Sequence, residues 1–499
     1  MARHSVPYNR STLEFELPDE WNVEYVEPQR VSPASDPKAA VEAALSAPVG
    51  GFSWEELSRR VAGASGGRAS AAGASARGSE GAAPGRGSRA PGPGGASAGE
   101  PFRVAIAVND KTRPVPHGHL LPPLLARLEA AGIAAEHILL VIATGTHPPM
   151  TESEFPAVLP PSLLERYHVV SHDAGDEANL EAVGTTSRGT PVRINRLFLS
   201  ADLRIVIGNI EPHQFMGYSG GVKSAVIGLA AKDTINHNHE MMSRPEAMVG
   251  RFDDNPARQD VEEMGRMVRV DLALNAILND HKEIIEAVAG EPTEVMRRGI
   301  PRVRELYTAE VDEPLDLVIA SPGGHPKDIN VYQAQKGLAH ASLVTREGGA
   351  IIVVAACVEG SGSESYETWV SRRDSHEQVL SDFAAEGYCI GPHKAFQIAR
   401  EATRFAVAWV SDMPRELSEK LLLRSADSVE AACSLPALEA ALRRSDEGAP
   451  GSSGAPGSSG EAGAAGAAAP GRLRVGIMPL ANATIPTIRG RDRGGESRL

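Results

Sequence analysis

The sequence predicts an α/β protein of two domains, each built on a Rossmann-like parallel sheet, and three observations support this. The chain of 499 residues exceeds the about 250–300 residues at which a single hydrophobic core stops growing. Short apolar strands alternate with helices of period 3.6, which is the pattern of βαβ units. Polar loops follow the carboxyl ends of several strands, where such sheets bind ligands.

The first domain opens with elements that alternation and capping predict. Residues 12–31 alternate apolar and polar side chains, which indicates a short β segment broken at Pro18. Asp36 precedes an alanine-rich amphipathic stretch, so it is expected to cap a helix over 37–47.

Strands and helices then alternate through the rest of the first domain. The apolar runs 102–108 and 137–143 are typical of buried strands, and 120–131 between them has the helical period. The same criteria predict a helix over 152–166, a strand over 167–171, two strands within 185–198, a strand over 202–208, a hairpin over 268–289 with Asn279 and Asp280 near its turn, and a linking helix over 295–307.

The second α/β unit begins at the apolar strand 315–320 and has similar alternation. It continues with a helix that carries 332–336, a strand over 349–355, helices to about residue 442, and a last strand over 473–479.

Two segments rich in Gly, Ala, Ser and Pro interrupt this pattern, at 62–100 and 444–471. They contain almost nothing that a core could bury, so they are expected to be disordered. The predicted organisation is therefore a first domain of 1–61 with 101–300 and a second domain of 301–443 with 472–488.

Composition excludes several functions. A formal net charge of −14 argues against a nucleic-acid partner, because phosphate contacts need a basic face. No apolar run of about 18 residues is present, which predicts no membrane span, and the N-terminus lacks the apolar core of a signal peptide. Three widely spaced cysteines fit free thiols in a cytoplasmic protein.

The stretch GYSGGVKS (217–224) combines a glycine pair with a lysine. Gly220 and Gly221 resemble a phosphate-binding turn, but a Walker loop needs glycine directly before Lys-Ser, and Val222 intervenes here. Lys223 is either a covalent attachment point or a cation at a helix start, where the helix dipole disfavours it. An enzyme that binds nucleotide phosphates on this loop remains an alternative.

Two histidines follow strand ends, His147 in THPP and His213 in EPHQF. Either could be an ordinary hydrogen-bonding residue, but two bases that face opposite sides of one carbon are what a racemase or epimerase needs. His239 or His237 is a candidate metal ligand. Neither CxxC nor HExxH accompanies them, so a metal site made of protein ligands alone is not expected.

Lys223 and His239 can share one site only if the chain turns between them. One straight helix would separate these residues by about 24 Å. We expect the turn at 231–234, with Asp233 or Thr234 as the cap of a new helix. Arg113 and Lys336 are the best carboxylate partners, since arginine offers a planar fork and lysine a point charge.

The motifs DKTRP (110–114), ATGTHPPM (143–150), GNIEPH to YSGGVKS (208–224), HNHE and YQAQK (332–336) together resemble the nickel-dependent lactate racemase family. The resemblance covers most of the chain outside the two low-complexity segments. It implies racemisation or epimerisation of a 2-hydroxy acid by hydride transfer to and from a nickel pincer nucleotide, in a cleft between the two domains. Enzymes of cofactor synthesis would then be partners.

The resemblance also implies residue roles. Lys223 matches the lysine joined to the cofactor, His239 the nickel ligand, and His147 and His213 the acid/base pair. Further cofactor contacts are implied for Asp110, Gly220, Gly221 and Tyr332, and substrate contacts for Arg113, Gln333, Lys336 and, as a positional guess, Phe396. Phe215 is a departure that could reshape the pocket, and a non-catalytic member of the family is the other alternative.

Overall fold

The structure is a computed structural model that describes residues 1–71, 101–446 and 472–490. The predicted disorder of 72–100 and 447–471 lies outside the described residues. The predicted start of the first insertion was wrong, because a helix runs over Trp54–Ala71. Buried Leu57 and Val61 anchor that helix.

The strands are numbered in chain order: β1 Ala2–Tyr8, β2 Ser11–Leu17, β3 Asn22–Tyr25, β4 Val104–Asn109, β5 Ile138–Ala143, β6 His168–Ser171, β7 Leu180–Thr185, β8 Pro191–Asn195, β9 Leu203–Asn209, β10 Pro212–His213, β11 Gly217–Tyr218, β12 Leu272–Leu278, β13 Ile284–Gly290, β14 Thr308–Val311, β15 Leu315–Ala320, β16 Thr345–Val354, β17 Ala406–Val410, β18 Ser425–Ala426, β19 Arg474–Met478 and β20 Ile485–Ile488.

The α-helices are α1 Pro37–Ser46, α2 Trp54–Ala71, α3 His117–Ala130, α4 Pro161–Arg166, α5 Arg196–Leu199, α6 Lys223–Val226, α7 Lys232–Glu240, α8 Pro256–Val268, α9 Pro292–Tyr307, α10 Val331–Ala341, α11 Glu364–Val370, α12 His376–Glu386, α13 Pro392–Ala402, α14 Arg415–Lys420, α15 Val429–Cys433 and α16 Pro436–Asp446. Short 3-10 helices lie at Ala135–His137, Glu152–Ala157, Glu177–Asn179, Met241–Ser243 and Ala481–Ala483.

Two compact units emerge, Arg30–Arg304 and the combination of Met1–Gln29 with Glu305–Leu499. Assigning the first 29 residues to the first domain was therefore wrong. β3 pairs in parallel with β19, and Phe15 and Leu17 of β2 are buried in a cluster with strands of the later unit. Such pairing joins residues more than 400 positions apart, which no local pattern reveals.

The unit Arg30–Arg304 contains a six-stranded sheet in the order β13-β12-β9-β4-β5-β6. Its strands are parallel except for the antiparallel hairpin β12–β13, which confirms the predicted βαβ alternation. Val104 and Ile106 belong to a buried cluster shared with α1, α2 and α3. Because side chains alternate along a strand, the small residues Ala105 and Ala107 point to the opposite face, where α6 packs.

The other unit contains an all-parallel six-stranded sheet in the order β18-β17-β16-β15-β19-β3. One face packs against α10, α11, α12 and α13, and the other against α15, α16 and the hairpin β1–β2. A two-stranded sheet pairs β14 with β20.

The predicted cap of α1 is confirmed, whereas the single helix predicted over 152–166 is wrong. The Asp36 carboxylate accepts a hydrogen bond from the backbone N–H of Ala39 at 3.0 Å, so it caps α1 as expected. The single helix predicted over 152–166 is instead a 3-10 turn followed by α4, because Pro160 and Pro161 interrupt the helical hydrogen bonds. Among the helices that the structure describes, none is both long and apolar enough to cross a membrane.

Candidate active site

The loops after β4 and β5 meet at the carboxyl edge of the sheet, as predicted. Asp110 directly follows β4, and its Oδ2 lies 2.7 Å from Nδ1 of His147 in the loop after β5. The other carboxylate oxygen accepts a hydrogen bond from the Thr112 hydroxyl at 2.7 Å. The Asp110 side chain is 4% exposed and that of His147 is 43% exposed, so a buried carboxylate holds an imidazole that reaches the surface.

The electrostatics of this pair determine which nitrogen carries the proton. Burial raises the pKa of the Asp110 carboxyl, but hydrogen bonding and charge from His147, with Thr112 and Arg113, outweigh burial and bring this pKa below its ordinary value. The carboxylate is therefore ionised at neutral pH and accepts the Nδ1–H of His147. The Nε2 lone pair of His147 is then available, as in a histidine general base.

The rings of His213, Phe215 and His239 form a row in which Phe215 lies between the two histidines. The Phe215 ring contacts His213 edge to face with centroids 5.0 Å apart, and contacts His239 in the same manner at 5.1 Å. The buried Asn255 amide donates a hydrogen bond to the Phe215 carbonyl at 2.8 Å. Phe215 thus separates the two imidazoles, and the structure brings His213 and His239 to one place.

The glycine loop before Lys223 is held rigidly. Gly217 has φ +71°, and a Cβ there would lie 1.6 Å from the Arg251 carbonyl oxygen, so only glycine fits. Buried Arg258 donates hydrogen bonds to the carbonyls of Tyr218 and Gly220. These contacts fix the backbone that leads into α6, whose first residue is Lys223.

The same loop uses its polar groups internally. Arg258 also pairs with Glu262 at 2.6 Å, and both side chains are almost completely buried. The backbone N–H of Gly221 donates to the Asn275 carboxamide oxygen at 2.7 Å. This N–H, which a phosphate-binding loop would offer to its ligand, is therefore already used within the protein.

The chain turns between Lys223 and His239, as a site shared by these two residues would require. α6 ends at Val226 and α7 begins at Lys232. The predicted cap was wrong, because Ala231 occupies the N-cap position and makes no side-chain capping bond. Thr234 lies inside α7, and its hydroxyl donates instead to the Pro191 carbonyl on β8 at 2.6 Å.

The two histidines of α7 have different surroundings. Nδ1 of His237 lies 3.0 Å from the Thr190 hydroxyl, which donates to the buried Asp260 carboxylate at 2.8 Å. His237 is thus bound toward β8 and α8, whereas His239 contacts Phe215. Of the two candidate ligands, the geometry favours His239.

Of the predicted residues of the other unit, Tyr332, Gln333 and Lys336 lie on α10 and Phe396 lies on α13. Asn330 caps α10 through the backbone N–H of Gln333, and Lys336 donates from Nζ to the Gln333 Oε1 at 2.6 Å. The Tyr332 ring contacts His393 edge to face at 5.7 Å. The ring of Phe396 stacks on Phe383 at 4.7 Å.

Sequence reasoning missed several supporting residues. The Lys394 ammonium lies 4.6 Å from the centre of the Tyr332 ring. The adjacent residues His393 and Lys394 were the visible signal in the sequence. Arg258, Glu262 and Asn275 carried no distinguishing pattern, because each is a common residue type whose role depends on burial.

A metal at His239 would need ligands from elsewhere. Among the residues whose side chains the structure describes (1–64, 101–443 and 472–490), no group of three or more His, Cys, Asp or Glu side chains is arranged to hold a metal ion.

Two parts of the chain match models of known protein families. Residues 96–250 match the family model of the lactate racemase N-terminal domain, and residues 311–445 match that of the lactate racemase C-terminal domain. The lactate racemase of Thermoanaerobacterium thermosaccharolyticum is 34% identical over 286 residues, which cover 57% of this chain and 67% of that protein. The lactate racemase of Lactiplantibacillus plantarum is 34% identical over 279 residues, 56% of this chain and 65% of the relative, slightly under two thirds.

Two solved structures are also similar to this chain. The lactate racemase apoprotein from T. thermosaccharolyticum superposes with a TM-score of 0.78 at 26% identity, covering 97% of this chain and 100% of that one. A Thermotoga maritima protein of 19% identity has a TM-score of 0.53 over 68% of this chain and 89% of its own, and shows the fold alone. The chain therefore belongs to the lactate racemase family and is an enzyme, an isomerase of the racemase type.

Proposed function

We propose that this protein racemises or epimerises a 2-hydroxy acid, lactate or a related 2-hydroxy carboxylate, with His147 and His213 as the acid/base pair. The observation that carries the proposal is the hydrogen bond between His147 and the ionised, buried Asp110. A carboxylate on Nδ1 fixes the imidazole ring and stabilises the imidazolium that forms when Nε2 takes a proton. This arrangement supports His147 as the group that removes the proton of the substrate hydroxyl.

The residues present fit a lysine-linked nickel pincer nucleotide, the cofactor that the family resemblance implies. Lys223 would carry it, His239 would bind nickel, and Gly220 and Gly221 are the proposed backbone contacts. Because the pincer brings its own sulfur donors, one protein ligand suffices. When bound, this group supplies a two-electron acceptor for the hydrogen on C2.

Asp110 and Tyr332 remain proposed cofactor contacts, and four residues are proposed for the substrate. Arg113 is half-buried beside Asp110, and its Nη1 donates to the Thr112 carbonyl at 3.3 Å. Its planar fork is suited to a carboxylate. Lys336 and Gln333 are joined by a hydrogen bond and would act together. Phe396 is the fourth, proposed to line the pocket.

The phosphate-binding alternative has less support. The N–H of Gly221 is bonded to Asn275, and α6 is four residues long, so it offers little helix dipole for an anion. We further propose a cytoplasmic location and a dependence on enzymes that synthesise the cofactor.

The test is a racemisation assay on the full-length protein made in a host that synthesises the cofactor. One enantiomer of lactate, and then of other 2-hydroxy acids, is incubated with protein and followed by chiral chromatography. We expect conversion toward the racemic mixture and a loss of conversion in His147→Gln. The matched control is His168→Gln, because His168 is exposed at the first residue of β6, on the opposite edge of the sheet.

Two results would overturn the proposal. One is a cofactor-loaded protein that leaves every tested enantiomer unchanged, which is the behaviour of a non-catalytic family member. The other is a His147→Gln variant as active as the His168→Gln control.

A further inference from the structure

Helix α7, which carries His239, is held in place largely by polar contacts. Of its nine residues, Thr234, Ile235 and Asn238 are buried, and only Ile235 among these three is apolar. A surface helix ordinarily packs through an apolar stripe that recurs every three or four residues. The orientation of α7 therefore depends on directional hydrogen bonds more than on a hydrophobic face.

The carboxylate of Asp260 on α8 is the centre of these hydrogen bonds. Its Oδ2 accepts from the Asn238 amide at 2.9 Å and from the Thr190 hydroxyl at 2.8 Å, and its Oδ1 accepts from the Thr186 hydroxyl at 2.6 Å. All four side chains are at most 5% exposed. Because a buried polar group is costly to leave without its partner, these side chains have little freedom to rearrange.

Through Thr190 the carboxylate reaches a second side chain of α7. The Thr190 hydroxyl gives its single hydrogen to Asp260, so it accepts a hydrogen bond from Nδ1 of His237, 3.0 Å away. The Asn238 amide also donates to the Ala257 carbonyl of α8 at 2.9 Å. Two adjacent side chains of α7 are thus tied to one buried carboxylate.

These contacts fix the rotation of α7 about its own axis. Successive residues of an α-helix are about 100° apart around the axis, so Thr234, His237 and Asn238 share one face, which is bound to β8 and α8. His239 lies about 200° from His237, on the other side of the helix, where it contacts the Phe215 ring. A rotation of about 10° would move a side-chain tip that lies about 6 Å from the axis by about 1 Å, whereas metal–ligand distances tolerate about 0.2 Å.

We propose that Asp260 is a positioning residue for His239: by fixing the rotation of α7, its buried hydrogen bonds aim His239 at the nickel of the bound nucleotide. The inference rests on the proposed function, in which Lys223 carries that nucleotide and His239 binds its nickel. Because Lys223 lies on a different helix, α6, the hydrogen bonds of Asp260 should affect nickel retention and leave the covalent attachment to the lysine in place.

Thr190 and Thr186 provide a matched pair of variants. Both hydroxyls donate to Asp260, so the two valine variants should lose similar amounts of Tm. The Thr190 hydroxyl also contacts His237 of α7, whereas that of Thr186 accepts from the Thr190 N–H within the connection from β7 to β8. Thr190→Val therefore loosens α7, and Thr186→Val is its control.

The first measurement is amide hydrogen exchange of α7, followed by mass spectrometry on the full-length protein made without the cofactor. We expect exchange in α7 to be about 2- to 12-fold faster in Thr190→Val, the range that the loss of one hydrogen bond implies, and less than about 2-fold faster in Thr186→Val. Thr190→Ser keeps the hydroxyl and should exchange like the wild type. Equal exchange of α7 in the two valine variants would overturn the inference.

The second measurement is nickel release to EDTA from the cofactor-loaded protein, with the intact mass of the denatured protein recorded on the same samples. We expect release to be about 2- to 12-fold faster from Thr190→Val than from Thr186→Val, with the covalent mass increase retained in both. Asn238→Leu breaks the direct connection to Asp260 and should release nickel faster in the same way.

The outcomes separate this inference from the proposed function. Wild-type protein with neither the covalent mass increase nor nickel would remove the proposed function and the role of Asp260 with it. A loaded wild type with equal nickel release from Thr190→Val and Thr186→Val would remove the role of Asp260 alone, whatever the exchange rates of α7.

Discussion

Replacing Asp110 by asparagine isolates the contribution of one buried charge. Asparagine has nearly the same shape, so the change removes the carboxylate that Nδ1 of His147 contacts at 2.7 Å and leaves the packing in place. Hydrogen bonds to charged groups contribute about 1.5–3 kcal/mol. Because 43% of the His147 side chain is exposed, solvent screening favours the lower half of that range.

The free energy lost with this hydrogen bond predicts the decrease in kcat. At about 1.36 kcal/mol per factor of ten, a loss of about 1.5–2 kcal/mol predicts a fall of about 10- to 30-fold in kcat, if the bond acts on the imidazolium form of His147. KM is expected to change little. The assay is the initial rate of racemisation in both directions by chiral chromatography, with nickel content measured on the same samples.

The control for Asp110→Asn is Asp36→Asn. Asp36 caps α1, where asparagine serves equally well, so activity and Tm should not change. A kcat of Asp110→Asn within two-fold of the wild type would refute the reasoning about His147. A fall in nickel content parallel to the fall in kcat would instead identify Asp110 as a cofactor contact.

Three further predictions concern the aromatic row, pH and the buried ion pair. Phe215→Leu removes edge-to-face contacts, including that with His239, worth about 0.5–1.5 kcal/mol each. Nickel bound at His239 should therefore be lost to a chelator about 2- to 12-fold more readily than in the wild type. Nickel retention equal to that of the wild type would contradict this prediction. Burial lowers the pKa of His117 from 6.5 to about 4 in the folded protein. As pH falls below 6.5 the unfolded chain takes up a proton at this residue and the folded protein does not, so the free energy of unfolding decreases, by about 2 kcal/mol at pH 5. Urea unfolding of His117→Gln should show a weaker pH dependence, and a dependence identical to that of the wild type would contradict this explanation. Arg258→Met leaves Glu262 buried and unpaired, which should cost about 3–5 kcal/mol in thermal unfolding; a Tm unchanged within error would show that the pair does not stabilise the loop.

The sequence predicted features that depend on neighbouring residues. Apolar runs located the parallel strands, and the loops that end them meet at one edge, so Asp110 and His147 were expected together and are in contact. The separation of Lys223 from His239 required a turn, and the turn is present.

The failures involve distant partners or burial. β3 pairs with β19 at the far end of the chain, so its domain could not be read locally. The cap of α7 was misplaced because Thr234 bonds to β8 instead. Arg258 and Glu262 resemble an ordinary surface pair four residues apart, and only the fold shows that both are buried.

The hydrogen bond at Nδ1 of His213 was likewise invisible in the sequence. It depends on the two-residue pairing of β10 with β11, which brings the Met216 N–H to the ring. No propensity argument identifies such a short pairing.

The proposal that Lys223 carries a nickel nucleotide is tested most directly by the intact mass of the denatured protein together with the nickel content of the native protein. Protein from a cofactor-synthesising host should show a covalent mass increase, with nickel equimolar to the chain, because one lysine would carry one nickel nucleotide. The increase should disappear in Lys223→Ala and persist in the control Lys232→Ala, since Lys232 is exposed at the start of α7. An unmodified mass without nickel in the wild type would contradict the claim.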